Sequence, residues 1–182
     1  MTVLLIRHGK SVQQTNLFMN SSDFQEWVKI YNEKGIEDTA PLPVKECLTE
    51  ASAVFTSDLN RSIQSADKPD GVSDCIFREL ELPVYKIRFI KLRPSGWIVL
   101  YRLFWYLGRA DNSESVKQSK ERAEKAASIL ENHATTDSKV VLVGHGFFNR
   151  FIGSVLQKRG WTLEGQKATA NWTMLTYRKE KK

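Results

Sequence analysis

The chain has 182 residues, of which 41% are hydrophobic and 26% charged, and its formal net charge is +6. This length and composition are typical of one globular domain with a full apolar core, and they exclude a fibrous repeat or a disordered protein. The positive charge favours anionic ligands without choosing among them. Part of it lies in the terminal residues 178–182, and no recognition motif is present, so nucleic acid is not an expected partner.

Three short apolar runs, at residues 3–6, 53–56 and 139–143, predict strands covered on both faces. Helices are predicted between and after them, over residues 113–132 and 147–156 and from a cap at Ser57 or Asp58 through Ala66. Alternating strands and helices predict an α/β fold. We expect a single-domain three-layer sandwich with a mostly parallel central sheet and helices on both faces.

The predicted domain covers residues 1–178, and residues 179–182 form a basic C-terminal tail. Residues 20–48 and 83–110 are predicted excursions near the ligand site. The first begins with a helical pattern over residues 23–31 and becomes looser around its prolines. Within the second, residues 97–107 favour a buried helix over a substrate-facing lid, although a lid or a subunit contact stays open.

The N-terminus and the cysteines predict a cytoplasmic protein. Residues 1–6 are too few for a signal peptide and lack its basic lead. Cys47 and Cys75 fit two free thiols in a reducing compartment better than a disulfide framework or a zinc site. Residues 97–107, the longest apolar stretch, are too short to cross a bilayer and carry Arg102 at their centre, so no transmembrane segment is expected.

Two histidines follow predicted strands. Arg7 and His8 come directly after the first, and His145 lies between Gly144 and Gly146 after the third. Parallel strands end at one edge of a sheet, so these side chains should converge there. The glycines would let the backbone approach a ligand closely, and the first amides of the helix after His145 would favour bound phosphate.

Arginine supplies the charge that a phosphoryl group requires, since one guanidinium can donate two parallel hydrogen bonds. Arg7 is one candidate. Arg61 is the other, because it lies about one turn inside the helix predicted after the second strand and could reach back to the same edge.

Four segments in this order resemble the histidine phosphatase superfamily, also called phosphoglycerate mutase-like. They are Arg7-His8-Gly9, the stretch FTSDLNRSIQSA with Arg61, Phe77-Arg78-Glu79, and VVLVGHG with His145. Glu114-Ser115, which open the long helix, and Asn171 near the last strand extend the match over most of the chain.

The resemblance implies that His8 is the nucleophile and that Arg7, Arg61 and His145 hold the phosphoryl oxygens. Glu79 would donate the proton to the leaving group, with Glu81 as its rival. A neutral imidazole and fixed cations suit this chemistry without a metal ion, so we expect neither a metal nor another cofactor.

The sequence departs from the family pattern after the first motif. Lys10 and Ser11 are followed by Gln14 where asparagine is common, and Pro83 stands near the position of a frequent glycine. Ser11 could contact phosphate or simply be solvated.

The leading functional prediction is a metal-independent phosphatase acting on a small phosphorylated substrate through a phosphohistidine at His8. A phosphoglycerate-type mutase is the nearest alternative, although mutases of the family are typically longer. A catalytically weak scaffold that binds phosphorylated ligands is the other. The sequence predicts neither the particular substrate nor the oligomeric state.

Overall fold

The computed structural model describes residues 1–12, 15–165 and 170–180. Its strands are β1 (Thr2–Arg7), β2 (Ala53–Thr56), β3 (Val72–Ser73), β4 (Lys139–Gly144), β5 (Thr162–Glu164) and β6 (Met174–Arg178). They form one sheet in the order β3-β2-β4-β1-β6-β5. The first four strands run parallel, while β6 pairs antiparallel with both β1 and β5. The three predicted strands are confirmed as β1, β2 and β4.

The helices are α1 (Ser21–Glu33), α2 (Leu42–Glu50), α3 (Asn60–Ala66), α4 (Pro94–Tyr106), α5 (Val116–His133) and α6 (Gly146–Lys158). A 3-10 turn spans Cys75–Phe77. Across the described ranges, every helix is too short or too polar to cross a membrane.

Helices cover both faces of the sheet, which confirms the predicted three-layer α/β fold. Leu5 and Leu142 are fully buried in a cluster that contains the alanines of α5 and the apolar side of α6. Their neighbours Ile6 and Val141 point to the opposite face, where α2 and α3 cover them. Successive side chains of a strand point to opposite faces, so unbroken apolar runs are required when both faces are covered.

Two local predictions were wrong. The loose stretch after α1 contains the helix α2, with Pro41 at its cap and Pro43 in its first turn, where proline is tolerated. The cap of α3 is Leu59, not Ser57 or Asp58. The side chains of those two residues bind other partners, namely His145 and Arg78.

The two predicted excursions meet as α1 and α4, which share an aromatic cluster. Phe24 packs against Trp97 and Tyr101, and all three rings are buried. Trp105 is also fully buried, in the main core. Residues 97–107 therefore include a helix with one buried face, but the preferred interpretation of a buried helix was wrong for Ile98, Val99, Leu103, Tyr106 and Leu107, which are exposed.

Lys179 lies beside the first residue of the chain. Lys179 and Met1 exchange two backbone hydrogen bonds, both 3.2 Å long. Residue 179, which was assigned to the basic tail, is thus attached to the domain. Gln14 lies outside the described residues.

Candidate active site

The two histidines meet at the edge where β1 and β4 end. Arg7 pairs with Gly144 in the register of these strands, so His8 and His145 leave the sheet side by side. Their ring centroids are 5.1 Å apart. Both side chains are almost completely buried from bulk solvent, yet both line one cavity of about 930 Å³.

The hydrogen bonding of His8 decides which ring nitrogen carries the proton. Its Nδ1 lies 2.7 Å from the carbonyl oxygen of Gly9. A carbonyl oxygen can only accept, so Nδ1 is the protonated nitrogen and Nε2 of the neutral ring keeps its lone pair. Burial, followed by the positive charge of Arg61, lowers the pKa of His8 from 6.5 to about 3. The ring is therefore neutral at physiological pH.

His145 is held by a residue that the sequence analysis treated only as a helix cap. Its Nε2 lies 2.7 Å from the hydroxyl of Ser57, while its buried Nδ1 has no hydrogen-bond partner among the described residues. Burial, and next the neighbouring His8, lower the pKa of His145 well below its ordinary value. The one signal for Ser57 in the sequence was its position directly after β2.

Both predicted arginines line the cavity with the histidines. The side chain of Arg7 runs past Gly146 at the start of α6. Arg61 is buried, and its charge helps to lower the pKa of both histidines. Its guanidinium is turned toward α1, where it donates to the carbonyl oxygen of Tyr31 and to Oδ1 of Asn32 and lies over the Tyr31 ring.

Glu79 lies at the same edge of the sheet, against the first turn of α6. Its Oε2 accepts the amide of Phe147, at 3.0 Å, and its Oε1 accepts the amides of Phe148 and Leu80. A carboxylate is stabilised at a helix N-terminus by the helix dipole. The prediction that these helix amides would bind phosphate was therefore wrong for Phe147 and Phe148, since Glu79 occupies them. Glu81 also lines the cavity.

The glycines beside the histidines leave room for protein atoms. A Cβ atom at Gly9 would clash with the ring of Trp172, and one at Gly144 would lie 2.7 Å from Asn149. These contacts alone require glycine, and the close approach of backbone to a ligand stays a prediction. Asn171 adds a further constraint, because its amide donates to the carbonyl oxygens of His8 and Gly9.

Two early residues lie outside the cavity. Lys10 forms an ion pair with Glu37 on the surface. Ser11 is buried and forms an isolated bridge with Ile36, so it is neither solvated nor part of the cavity lining.

The wall of the cavity is both charged and apolar. The two histidines, Arg7 and Arg61 line it together with further charged side chains, among them Arg78, Glu79, Glu81, Arg102 and Arg150. Aromatic and aliphatic side chains of α1, α4 and the segment between Glu79 and α4 form another part of the wall, among them Trp27, Val28, Leu82, Val84, Ile98, Val99 and Tyr101. One edge of α4 therefore lines the cavity, and the buried residues of this helix are Pro94, Trp97, Tyr101, Arg102 and Trp105.

These features define an α/β protein with a cationic, two-histidine cavity at the carboxyl edge of its parallel strands. The sequence model of the histidine phosphatase superfamily (branch 1) matches residues 3–182. The chain belongs to this superfamily, which confirms the resemblance. No curated protein matches the sequence.

Solved structures share the fold at low sequence identity. One is the product of an open reading frame of Mycobacterium tuberculosis, with a TM-score of 0.59 and 16% identity over 96% of this chain and 89% of that one. A mycobacterial glucosyl-3-phosphoglycerate phosphatase has a TM-score of 0.54 and 18% identity, covering 86% and 79% of the two chains. A candidate alpha-ribazole-5'-P phosphatase from Escherichia coli has a TM-score of 0.55 and 14% identity over 86% and 79%.

Proposed function

We propose that the protein is a metal-independent phosphatase that hydrolyses a small phosphorylated substrate through a phosphohistidine on His8. The observation that carries this proposal is the bond from His8 Nδ1 to the Gly9 carbonyl, which leaves the lone pair of Nε2 available in a cavity that Arg7 and Arg61 also line. A neutral, fixed imidazole beside cations is suited to attack phosphorus.

In the first step, the lone pair of His8 Nε2 forms a bond to phosphorus and the bond from phosphorus to the substrate oxygen breaks. Arg7 and Arg61 would offset the charge on the phosphoryl oxygens. If the Ser57 hydroxyl donates a hydrogen bond to His145 Nε2, that nitrogen is the acceptor, and the neutral ring of His145 carries its proton on Nδ1, the nitrogen without a hydrogen-bond partner. This Nδ1–H would then donate to a phosphoryl oxygen.

Glu79 is the proposed proton donor to the departing oxygen. Its three amide partners leave one lone-pair position, on Oε2, available for a proton. In the second step a water molecule attacks phosphorus, Glu79 takes its proton, and the electrons of the phosphorus–nitrogen bond return to Nε2. The apolar wall of the cavity supports a substrate whose leaving group has an apolar or aromatic body.

The proposal is tested by trapping the phosphoenzyme. Wild-type protein is mixed with an aryl phosphate in the presence of EDTA, quenched in alkali, and digested for mass spectrometry. We expect an acid-labile phosphoryl group on the peptide that contains His8, and none on those with His133 or His145. Inorganic phosphate should be released at the same rate as the alcohol.

Two results would contradict this function. Complete absence of the phosphoenzyme would favour a binding scaffold. A phosphoenzyme that passes its phosphoryl group to an added alcohol, but not to water, would favour a mutase.

Replacing Glu79 with glutamine distinguishes proton donation from a structural role at α6. We expect E79Q to lower kcat/KM for an alkyl phosphate, which reports the steps up to formation of the phosphohistidine, by roughly 10²-fold or more, because its alkoxide leaves poorly without a proton. The kcat/KM of an aryl phosphate, whose phenoxide leaves readily, should be affected far less. E81Q is the matched control and should change neither rate strongly. Equal losses on both substrates would indicate that Glu79 only holds the helix.

A further inference from the structure

One internal segment carries a net positive charge as large as that of the whole chain. Residues 82–110 contain no acidic residue and six basic ones: Lys86, Arg88, Lys91, Arg93, Arg102 and Arg109. The whole chain has 27 basic and 21 acidic residues, so removing these six leaves 21 of each and a neutral remainder. Such an asymmetry indicates an anionic partner for this part of the surface.

The loop before α4 presents most of these charges to solvent. Lys86, Arg88, Lys91 and Arg93 are exposed, and they take part in none of the ion pairs formed by the described residues. The positive charges of these four side chains are therefore not neutralised by nearby carboxylates. Between them, Ile87 and Leu92 pack inward on the aromatic cluster of α1 and α4 and fix the loop to the domain.

The same loop projects apolar side chains outward. Phe89 is completely exposed and has a positive φ of 73°, a conformation that is costly for a bulky residue. Ile90 beside it is 43% exposed. A large aromatic side chain that a strained backbone holds in water does not stabilise the isolated domain. A partner that covers Phe89 would account for its position.

This surface continues to the opening of the cavity. Met19 and Leu92 exchange backbone hydrogen bonds, and the guanidinium of Arg93 lies 5.2 Å from the centroid of the exposed Phe18 ring. The first two turns of α4 follow, and there the exposed Ile98 and Val99 also line the cavity. We call residues 17–18, 86–93 and 98–99 the basic rim.

We propose that the basic rim binds the surface of a membrane that contains anionic lipids. The exposed cations would lie among the phosphate head groups, and Phe89, Ile90 and Phe18 would insert at the boundary with the acyl chains. Projecting apolar side chains flanked by cations suit this boundary better than an acidic protein, which would satisfy the charges but leave the apolar residues exposed. The proposal rests on the surface alone and does not depend on the phosphatase activity.

Vesicle flotation with the full chain tests the proposal. Wild type should float with vesicles of phosphatidylglycerol and phosphatidylcholine in equal parts, and much less with phosphatidylcholine alone. Phe89→Gly removes the aromatic anchor and relieves the strained φ, so it should fold normally and bind roughly tenfold more weakly. Arg88→Glu with Lys91→Glu should weaken binding by at least about tenfold.

A matched control separates the rim from net charge. Lys120→Glu with Lys125→Glu changes the charge equally, on the exposed side of α5, and should leave flotation unchanged. None of these residues lines the cavity, so hydrolysis of a soluble aryl phosphate should be the same in every variant. Equal loss of flotation in the α5 control would overturn the proposal.

Other occupants of the rim give different results. Wild type that binds polyglutamate but not anionic vesicles would show that the partner is an acidic protein. A wild-type dimer in sedimentation that Phe89→Gly converts to monomer, without vesicle binding, would show that a second copy covers the rim. Either outcome contradicts the membrane proposal.

Discussion

Replacing His8 with alanine is expected to lower kcat/KM for a phosphomonoester by at least about 10⁴-fold, because loss of the nucleophile has an effect of this size in covalent enzymes. Neutral His8 has the tautomer that the proposed attack requires before substrate arrives, because burial and Arg61 keep its pKa at about 3 and the Gly9 carbonyl fixes the proton on Nδ1. The proposed attack therefore needs no change of tautomer. Steady-state rates on an aryl phosphate, with the phosphoenzyme measured in parallel, provide the test.

His133 is the control for this substitution. It ends α5, where its Nδ1 lies 2.8 Å from the Ile129 carbonyl and its ring packs against Phe55, away from the cavity. His133→Ala should leave the rate on aryl phosphate nearly unchanged. If His8→Ala retains most of the activity while its thermal unfolding matches wild type, His8 is not the nucleophile.

Replacing Arg61 with methionine has the second largest expected effect, a loss of roughly 10²- to 10³-fold in kcat/KM. The guanidinium would stabilise charge on the phosphoryl oxygens as the transition state forms, and lysine cannot reproduce its two parallel bonds. Inhibition by inorganic phosphate or vanadate should weaken in parallel. Rates and inhibition constants for Arg61→Met and Arg61→Lys measure both effects.

A second variant tests whether the loss of activity in Arg61→Met has a structural cause instead. Arg61 also connects α3 to α1 through Tyr31 and Asn32, so its removal could simply disturb the wall of the cavity. Asn32→Ala breaks part of this connection and leaves the guanidinium in place. It should lower the thermal midpoint modestly and preserve most of the activity. An equal loss of activity in Asn32→Ala and Arg61→Met would show that Arg61 acts by holding α1.

The central strands and α5 could be predicted because the sequence pattern of each lies within the element itself. Buried strands need unbroken apolar runs, and α5 has a regular apolar stripe ended by His133. The short edge strands β3 and β5 have few residues and exposed side chains, so they carry no such pattern. In α2, the prolines that suggested a loop mark the first turn of a helix.

The sequence was sufficient to predict which side chains come together in the candidate site. Strand order brings His8 and His145 together, and their positions at strand ends were visible in the sequence. The partners of the predicted residues were not visible. Arg61 binds a main-chain carbonyl 30 positions away, and Glu79 binds amides nearly 70 positions away. Backbone partners are independent of residue type, so no sequence pattern marks them.

The attachment of Glu79 to α6 has a consequence for the reaction cycle. The helix turn that this carboxylate holds is the one that directly follows His145. If Glu79 gives a proton to each departing alcohol, the negative charge at the start of the helix is restored at that moment, and the turn is held most firmly while the phosphohistidine waits for water. The charge of Glu79 and the rigidity of the first turn of α6 would then change together, once in each turnover.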